Sequence, residues 1–198
     1  MTEWERMQNG LVYNDFDEEL FYRRVAAKKC FRAYNKTNDD DLELRQQIMQ
    51  ELFKSVGKNV WIEPDFKCEF GKNITIMDDV YINFGCIILD CAPITIGSHS
   101  LLGPNVGLYA ANHSLDVTGR INGGCCGKPI KIGNNVWLGG DVKILGGVTI
   151  GDNSIIGAGS VVTKDIPKNV IAVGNPCKVI REITEADKTD YSKRIEVK

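Results

Sequence analysis

The stretch from 132 to 162 reads IGNNVWLGGDVKILGGVTIGDNSIIGAGSVV, and its period decides the fold. An aliphatic residue returns at every sixth position, as Ile132, Leu138, Ile144, Ile150, Ile156 and Val162. Glycine follows directly at Gly133, Gly139, Gly151 and Gly157. Val136, Val142, Val148, Ser154 and Ser160 fill the fifth place of five successive hexads. A helix repeats near 3.6 residues and a half-buried strand near 2, so neither accounts for six. A solenoid of triangular cross-section does. Each hexad supplies one flat strand and one corner, the aliphatic side chain points inward, and three hexads close a coil of about 18 residues. Glycine at a corner allows backbone conformations that other residues resist.

Upstream the same period restarts after short breaks, as Val56, Ile62, Cys68, then Ile76, Ile82, Ile88, then Ile96, Leu102, Leu108. The reading is a mainly β fold, a parallel β-helix of about five coils over residues 56–180, stacked at roughly 4.8 Å per coil. After Leu108 the next hexad is due at 114, yet the pattern resumes only at Ile132. The insertion Ser114–Lys131 leaves immediately after His113, and Gly119, Gly123, Gly124 and Gly127 predict a flexible loop. A long excursion from a regular scaffold commonly carries function.

Residues 1–55 read as helical. Thr2 and Glu5 form a capping box, and Asn9-Gly10 closes that helix. Asp15–Asp17 can cap a second helix, with Leu20, Phe21, Arg24, Val25 and Lys28 spaced for one face. Asp39–Asp41 can cap a third, with Leu42, Leu44, Ile48, Leu52 and Phe53 as its stripe. Three short helices enclose little core alone, so the segment is expected to pack on the β-helix. Residues 181–198 read as a short tail.

Composition narrows the function classes. With 43% hydrophobic and 25% charged residues the chain can bury a real core, as one domain or one domain with a small appendage. A formal net charge of −2 gives no basic surface for nucleic acid or acidic lipid. Met1–Gly10 is polar, and no apolar stretch approaches the roughly 20 residues of a membrane helix, so a cytoplasmic location is expected. Seven cysteines without a C-x-x-C pair read as reduced thiols, with adjacent Cys125 and Cys126 the pair to watch, and no metal is expected. No glycine-rich fingerprint follows a strand–helix unit, which excludes a Rossmann reading. Of the two histidines, His99 sits mid-hexad and faces solvent, whereas His113 stands at the loop exit.

The hexads, the helical start, the triplet Asn112-His113-Ser114, the long loop and the closing Gly174-Asn175-Pro176-Cys177-Lys178-Val179-Ile180-Arg181 together resemble the maltose and galactoside O-acetyltransferases. The resemblance runs from about Glu3 to Arg181. It implies a left-handed β-helix, a handedness that the usual crossover preference would not predict. It implies transfer of acetyl from acetyl-CoA to a hydroxyl of a mono- or disaccharide, with His113 as general base. A base with a pKa near neutrality can take the hydroxyl proton during attack and return it to the departing thiolate.

The same resemblance implies the remaining roles. Asp15, Glu69, Tyr81 and Asn83 face the acceptor. Glu69 stands where galactoside members carry serine and maltose members an acidic residue, and Cys91 where galactoside members carry aspartate. On the donor side Trp137 flanks the pantetheine arm, and Gly140 offers a backbone N–H to the oxyanion. Ala158, Thr163 and Lys164 line the CoA channel, and Lys178 and Arg181 meet the nucleotide phosphates. Lys178 replaces the usual arginine, keeping charge but losing the bidentate fork. A homotrimer is implied, with each active site between neighbouring β-helices. Acetylation of an antibiotic or other xenobiotic on the same fold and a non-catalytic β-helix scaffold are the competing readings. A β-helix carbonic anhydrase needs three histidine ligands, and the chain has two histidines.

Overall fold

Three parallel sheets wind around one core in the computed structural model, which describes residues 1–189. The first face stacks Ser55–Val56, Ile74–Ile76, Ile94–Ile96, Ile130–Ile132 and Thr149–Ile150. The second stacks Trp61–Ile62, Tyr81–Ile82, Leu101–Leu102, Trp137–Leu138, Ile155–Ile156 and Val170–Val173. The third stacks Lys67–Cys68, Ile87–Leu89, Gly107–Tyr109, Lys143–Leu145 and Val161–Val162. The strand pairings set the hexad positions directly over one another. One column runs Val56, Ile76, Ile96, Ile132, Ile150. The others run Ile62, Ile82, Leu102, Leu138, Ile156 and Cys68, Ile88, Leu108, Ile144, Val162. All but Val56 are buried, and they form one continuous core.

The five complete coils carry an incomplete sixth, which the six-residue count passes over. A hexad after Val162 would place Lys168 inside. Instead the turn is shortened: Asp165 accepts from the Thr149 amide at 2.7 Å, and Ile166 bridges to Ile150. Ala172 then stacks on Ile156. Lys178–Glu182 folds back antiparallel on Val170–Val173, so the second face ends in a reversed strand. No helix among the described residues is long and apolar enough to cross a membrane.

The corner between the first and second faces explains His99. Asn59, Asp79, His99, Asn135, Asn153 and Asn169 occupy equivalent places there, each with φ between 55° and 61°. Asparagine and aspartate tolerate this left-handed conformation better than most residues. Their side chains form a ladder: Asn59 donates to Asp79 at 2.9 Å, Asn135 to Asn153 at 2.9 Å and Asn153 to Asn169 at 2.8 Å. His99 extends it, its Nδ1 lying 3.5 Å from Asp79. It is exposed, as its place in the hexad predicts, and it shapes a turn.

Helix α1 (Glu3–Gln8) has the full Thr2/Glu5 capping box and ends at Asn9. Helix α2 (Glu18–Tyr34) is capped by Asp17, which accepts from Leu20. Its inner face is Leu20, Ala27, Phe31 and Tyr34, with Arg24 in the same row, whereas Phe21 and Lys28 face solvent. In α3 (Leu42–Leu52) the buried row is Arg45, Met49 and Leu52, and Leu42 and Leu44 are exposed. The expected α2 face holds at Leu20 and Arg24 but not at Phe21 and Lys28, and the α3 stripe is off because Arg45 takes a core-facing place, its stem packed and its head paired. Arg45 donates to Asp39 at 3.0 Å and to the Ile62 carbonyl at 2.8 Å, with its guanidinium over Trp61 at 4.5 Å.

The corner ladder gives a direct test. Asn153→Ala should cost about 2 kcal/mol, combining left-handed strain with lost ladder bonds. Asn153→Gly should cost roughly half as much, because glycine keeps the backbone conformation. Urea denaturation of both variants checks this; equal losses would show that the left-handed turn is not what the position demands.

Candidate active site

The excursion after the third coil is built, not loose. Ala111–His113 and Gly124–Gly127 form an antiparallel hairpin, closed over by α4 (Val117–Ile121), which Asp116 caps. The coil resumes at Ile130, which pairs with Ile94, earlier than the hexad count suggests. The glycines serve close approach. A Cβ on Gly127 would collide with the Cys91 carbonyl, and Gly123 takes φ +83° at the start of the return strand.

The N-terminal segment joins this hairpin. Tyr13–Asn14 adds a third strand, pairing Tyr13 with Cys125 and Asn14 with Gly124, and the Asp15 amide donates to the Gly123 carbonyl at 2.8 Å. His113 pairs with Cys125 from the other side. Tyr13, Cys125 and His113 therefore share one register line across three strands, with the outer two roughly 10 Å apart. The His113 ring is exposed and accepts or donates no hydrogen bond among the described residues.

Asp15 and Glu69 meet at Arg24. Its Nε donates to Glu69 at 2.5 Å, its Nη1 to the Asp15 carbonyl at 3.1 Å and its Nη2 to the Asp15 carboxylate. Glu69 sits at the end of the first coil's third-face strand because Asp90, one coil above, holds its turn. The fully buried Asp90 carboxylate accepts from the amides of Glu69 at 3.0 Å, Phe70 at 2.8 Å and Asn73 at 3.2 Å. Burial outweighs these bonds and pushes its pKa up to about 6. Beside them lies a small buried apolar cluster that includes Tyr13, Cys91, Cys125 and Phe70. The Tyr13 hydroxyl is buried without a hydrogen bond, with thiols as its near neighbours, and burial raises the Tyr13, Cys91 and Cys125 pKa values.

Arg24 and Asp90 were not among the residues the sequence singled out for a site. The signal for Arg24 was an arginine at core-facing spacing in α2. For Asp90 it was a carboxylate ending the apolar run Ile87-Ile88-Leu89.

The other expected site residues lie elsewhere on the prism. Tyr81 and Trp137 project from the second face, the Tyr81 hydroxyl donating to Glu63 at 2.9 Å. Asn83, Gly140 and Ala158 lie where that face turns towards the third. There the Gly140 carbonyl accepts from Gly159 at 2.9 Å, while its own N–H has no partner among the described residues. Lys178 and Arg181 lie on the reversed strand at the second face's end. Lys178 is exposed, and Arg181 holds Asp187 in a two-pronged pair at 2.7 and 2.8 Å, which keeps the Asp187 carboxyl well below the usual range. Thr163 and Lys164 lie at the third-to-first corner, two coils above the hairpin. One chain thus brings Asp15, Glu69 and His113 to one corner and leaves Tyr81, Asn83, Trp137, Gly140, Ala158, Lys178 and Arg181 on another side.

Comparison with known proteins places this architecture. Residues 129–164 match the bacterial transferase hexapeptide family (six repeats), and residues 6–57 match the maltose acetyltransferase hexapeptide capping motif. The galactoside O-acetyltransferase of Escherichia coli K12 is 45% identical over 193 residues, covering 98% of this chain and 95% of its own. The chain belongs to the maltose and galactoside O-acetyltransferases. A solved maltose O-acetyltransferase from Clostridium difficile 630 superposes on this acetyltransferase with a TM-score of 0.90 at 49% identity, over 93% of this chain and 99% of its own. A galactoside acetyltransferase solved in complex with coenzyme A superposes with a TM-score of 0.90 at 44% identity, over 96% of each chain.

Asp90 is the group on which the turn carrying Glu69 leans. Asp90→Ala strands the buried amides of Phe70 and Asn73, while Glu69 keeps its bond to the Ile88 carbonyl at 3.1 Å, and should cost at least about 2 kcal/mol. Its folded pKa lies above the ordinary carboxylate value, so its contribution is greatest below about pH 4 and declines as pH rises through about 6. The stability gap between wild type and Asp90→Ala, measured by urea denaturation, should therefore narrow from pH 4 to pH 7. A gap that widens over that range would contradict the assignment.

Proposed function

We propose that this chain transfers acetyl from acetyl-CoA to a hydroxyl of a mono- or disaccharide, as a cytoplasmic homotrimer, with His113 as general base. The observation that carries the reading is the division of residues between two sides of the prism. One corner holds a base and two carboxylates able to orient hydroxyl groups. The other side holds an exposed tryptophan, a backbone N–H without a partner among the described residues and exposed cations at the end of a strand. Neither half suffices for acetyl transfer, and threefold packing of flat-sided prisms brings the first half of one subunit against the second half of the next. Phe16, Leu115, Val117 and Ile121, all exposed around the hairpin tip, are the apolar surface such a neighbour would cover.

In the reaction the His113 imidazole takes the acceptor hydroxyl proton as that oxygen attacks the thioester carbon. The carbonyl oxygen, now an oxyanion, is held by the Gly140 N–H of the adjoining subunit. The C–S bond breaks, and the imidazolium returns the proton to the CoA sulfur. Lys178 contributes charge near the nucleotide phosphates, and Arg181 can do so while sharing Asp187, because a guanidinium carries five donors.

His113→Ala should lower kcat at least about 100-fold while leaving acetyl-CoA affinity nearly unchanged, measured by free CoA release and by direct acetyl-CoA binding. More than a tenth of wild-type turnover would remove His113 from the role of base.

Sedimentation should give three times 22.0 kDa. Exchange of subunits between His113→Ala and a Lys178→Ala, Arg181→Ala double variant should restore part of the activity lost in each. A fully active monomer would refute the shared site.

A further inference from the structure

We propose that a notch at Gly140 lets this enzyme use a second donor, propionyl-CoA, whose extra methylene occupies the place of the side chain that glycine lacks. The inference rests on the acetyltransferase reading, in which the Gly140 N–H holds the thioester oxygen, and it names the acyl groups that site takes. The strand pairings put Pro64, Phe84, Pro104, Gly140 and Ala158 in one row at the corner between the second and third faces, one to a coil. That corner accepts a proline ring, a phenyl ring and a methyl group, so its shape does not call for glycine. Nor does the backbone, because Gly140 lies outside the left-handed region.

Neighbouring glycines show the contrast. A Cβ on Gly103 would come within 2.7 Å of the Gly140 nitrogen, and one on Gly139 within 2.6 Å of the Ala158 nitrogen, so the stacking of coils requires both. The nearest atoms to a Cβ on Gly140 would be two carbons of the Pro104 ring at 3.4 and 3.5 Å and the Pro104 carbonyl oxygen at 3.5 Å, which is ordinary contact. The fold thus leaves open a space it could have filled. The residue beside that space carries an N–H without a partner among the described residues, and glycine lets a ligand approach such a backbone group closely.

An acyl α-carbon is two bonds from the thioester oxygen, so an oxygen held on the Gly140 N–H brings the acyl chain against the notch. Its walls are mostly hydrocarbon, the Pro104 ring one coil below and the Ala158 methyl one coil above. The Pro104 carbonyl is already bonded to the Asp141 amide at 2.8 Å. Such a space suits a methylene, which has no polar group to satisfy. The transfer itself is unchanged: the sugar oxygen bonds to the acyl carbon, the C–S bond breaks, and the hydroxyl proton passes through His113 to the CoA sulfur.

The test measures free CoA release by the full-length enzyme from acetyl-, propionyl- and butyryl-CoA, over a panel of mono- and disaccharides. Wild type should use acetyl- and propionyl-CoA with kcat/KM values within about tenfold, the least that a pocket rejecting one methylene would impose. Gly140→Ala should lower the propionyl-to-acetyl ratio at least about tenfold, whereas a Cβ that merely disturbed the corner would slow both donors alike. Pro104→Ala, which deepens the notch from below, should raise the butyryl-to-acetyl ratio at least about threefold, and it decides the matter if Gly140→Ala is inactive. Melting curves of each variant confirm folding. A wild-type gap above tenfold, or an unchanged ratio in either folded and active variant, overturns the notch alone. Wild type that releases no CoA from acetyl-CoA with any sugar overturns the acetyltransferase reading and the notch with it.

Discussion

Every inner strand of the β-helix finds its backbone partners in the coils above and below, so each coil must rise by one strand spacing and keep its register. That requirement fixes the rest. Side chains alternate in and out along a strand, and a slip of one residue would turn a whole column of aliphatic residues towards water. The columns headed by Val56, Ile62 and Cys68 show the constraint met for five coils running. Corners must be equally regular, and the left-handed asparagine ladder from Asn59 to Asn169 is how one of the three corners meets the demand.

A scaffold this rigid can place chemistry only at its corners, on its faces and in what leaves it. The hairpin Ala111–Gly127 leaves at one corner, and it does not stand alone: Tyr13–Asn14, a hundred residues earlier in the chain, completes its sheet. The helical segment therefore delivers Asp15 to His113 through main-chain hydrogen bonds, which survive changes of side chain. Arg24 and Asp90 then set the carboxylates from beneath. The proposed site is thus carried on ordinary backbone pairing, with a few buried polar groups for fine placement.

The six-residue period made the β-helix and its fifteen core positions legible, because a repeat that must stack shows itself in every copy. The sixth partial coil stayed hidden, since a shortened corner at Asp165 breaks the count while preserving the stack. The α3 face was misjudged where Arg45 does the work of an apolar residue, whereas the α2 face held Arg24 as expected but wrongly included Phe21 and Lys28. Hydropathy sees the charge of Arg45 and not its stem. The hairpin was read as a flexible loop because its glycines permit close packing as readily as motion, and only the neighbouring Cys91 carbonyl tells which. The two halves of the proposed site were named from resemblance. Their separation on the prism is a matter of which face each hexad occupies, and it becomes visible once the coils are counted.

A stack of coils has two ends, and each end is an open strand edge offered to any other chain. This molecule closes them differently. Below, α2 and α3 lay Phe31, Tyr34, Met49 and Leu52 against the first coil's Ile62, Phe66 and Cys68, so the lower end is sealed by side chains. Above, the strand Lys178–Glu182 turns back antiparallel and carries exposed lysine, arginine and glutamate along its length. A reversed, charged last strand is a poor template for another parallel coil. The strand that ends the helix is thus what keeps an indefinitely extendable architecture from growing into a fibre, and truncating the chain ahead of Lys178 would uncover the second face of the sixth coil to its own kind.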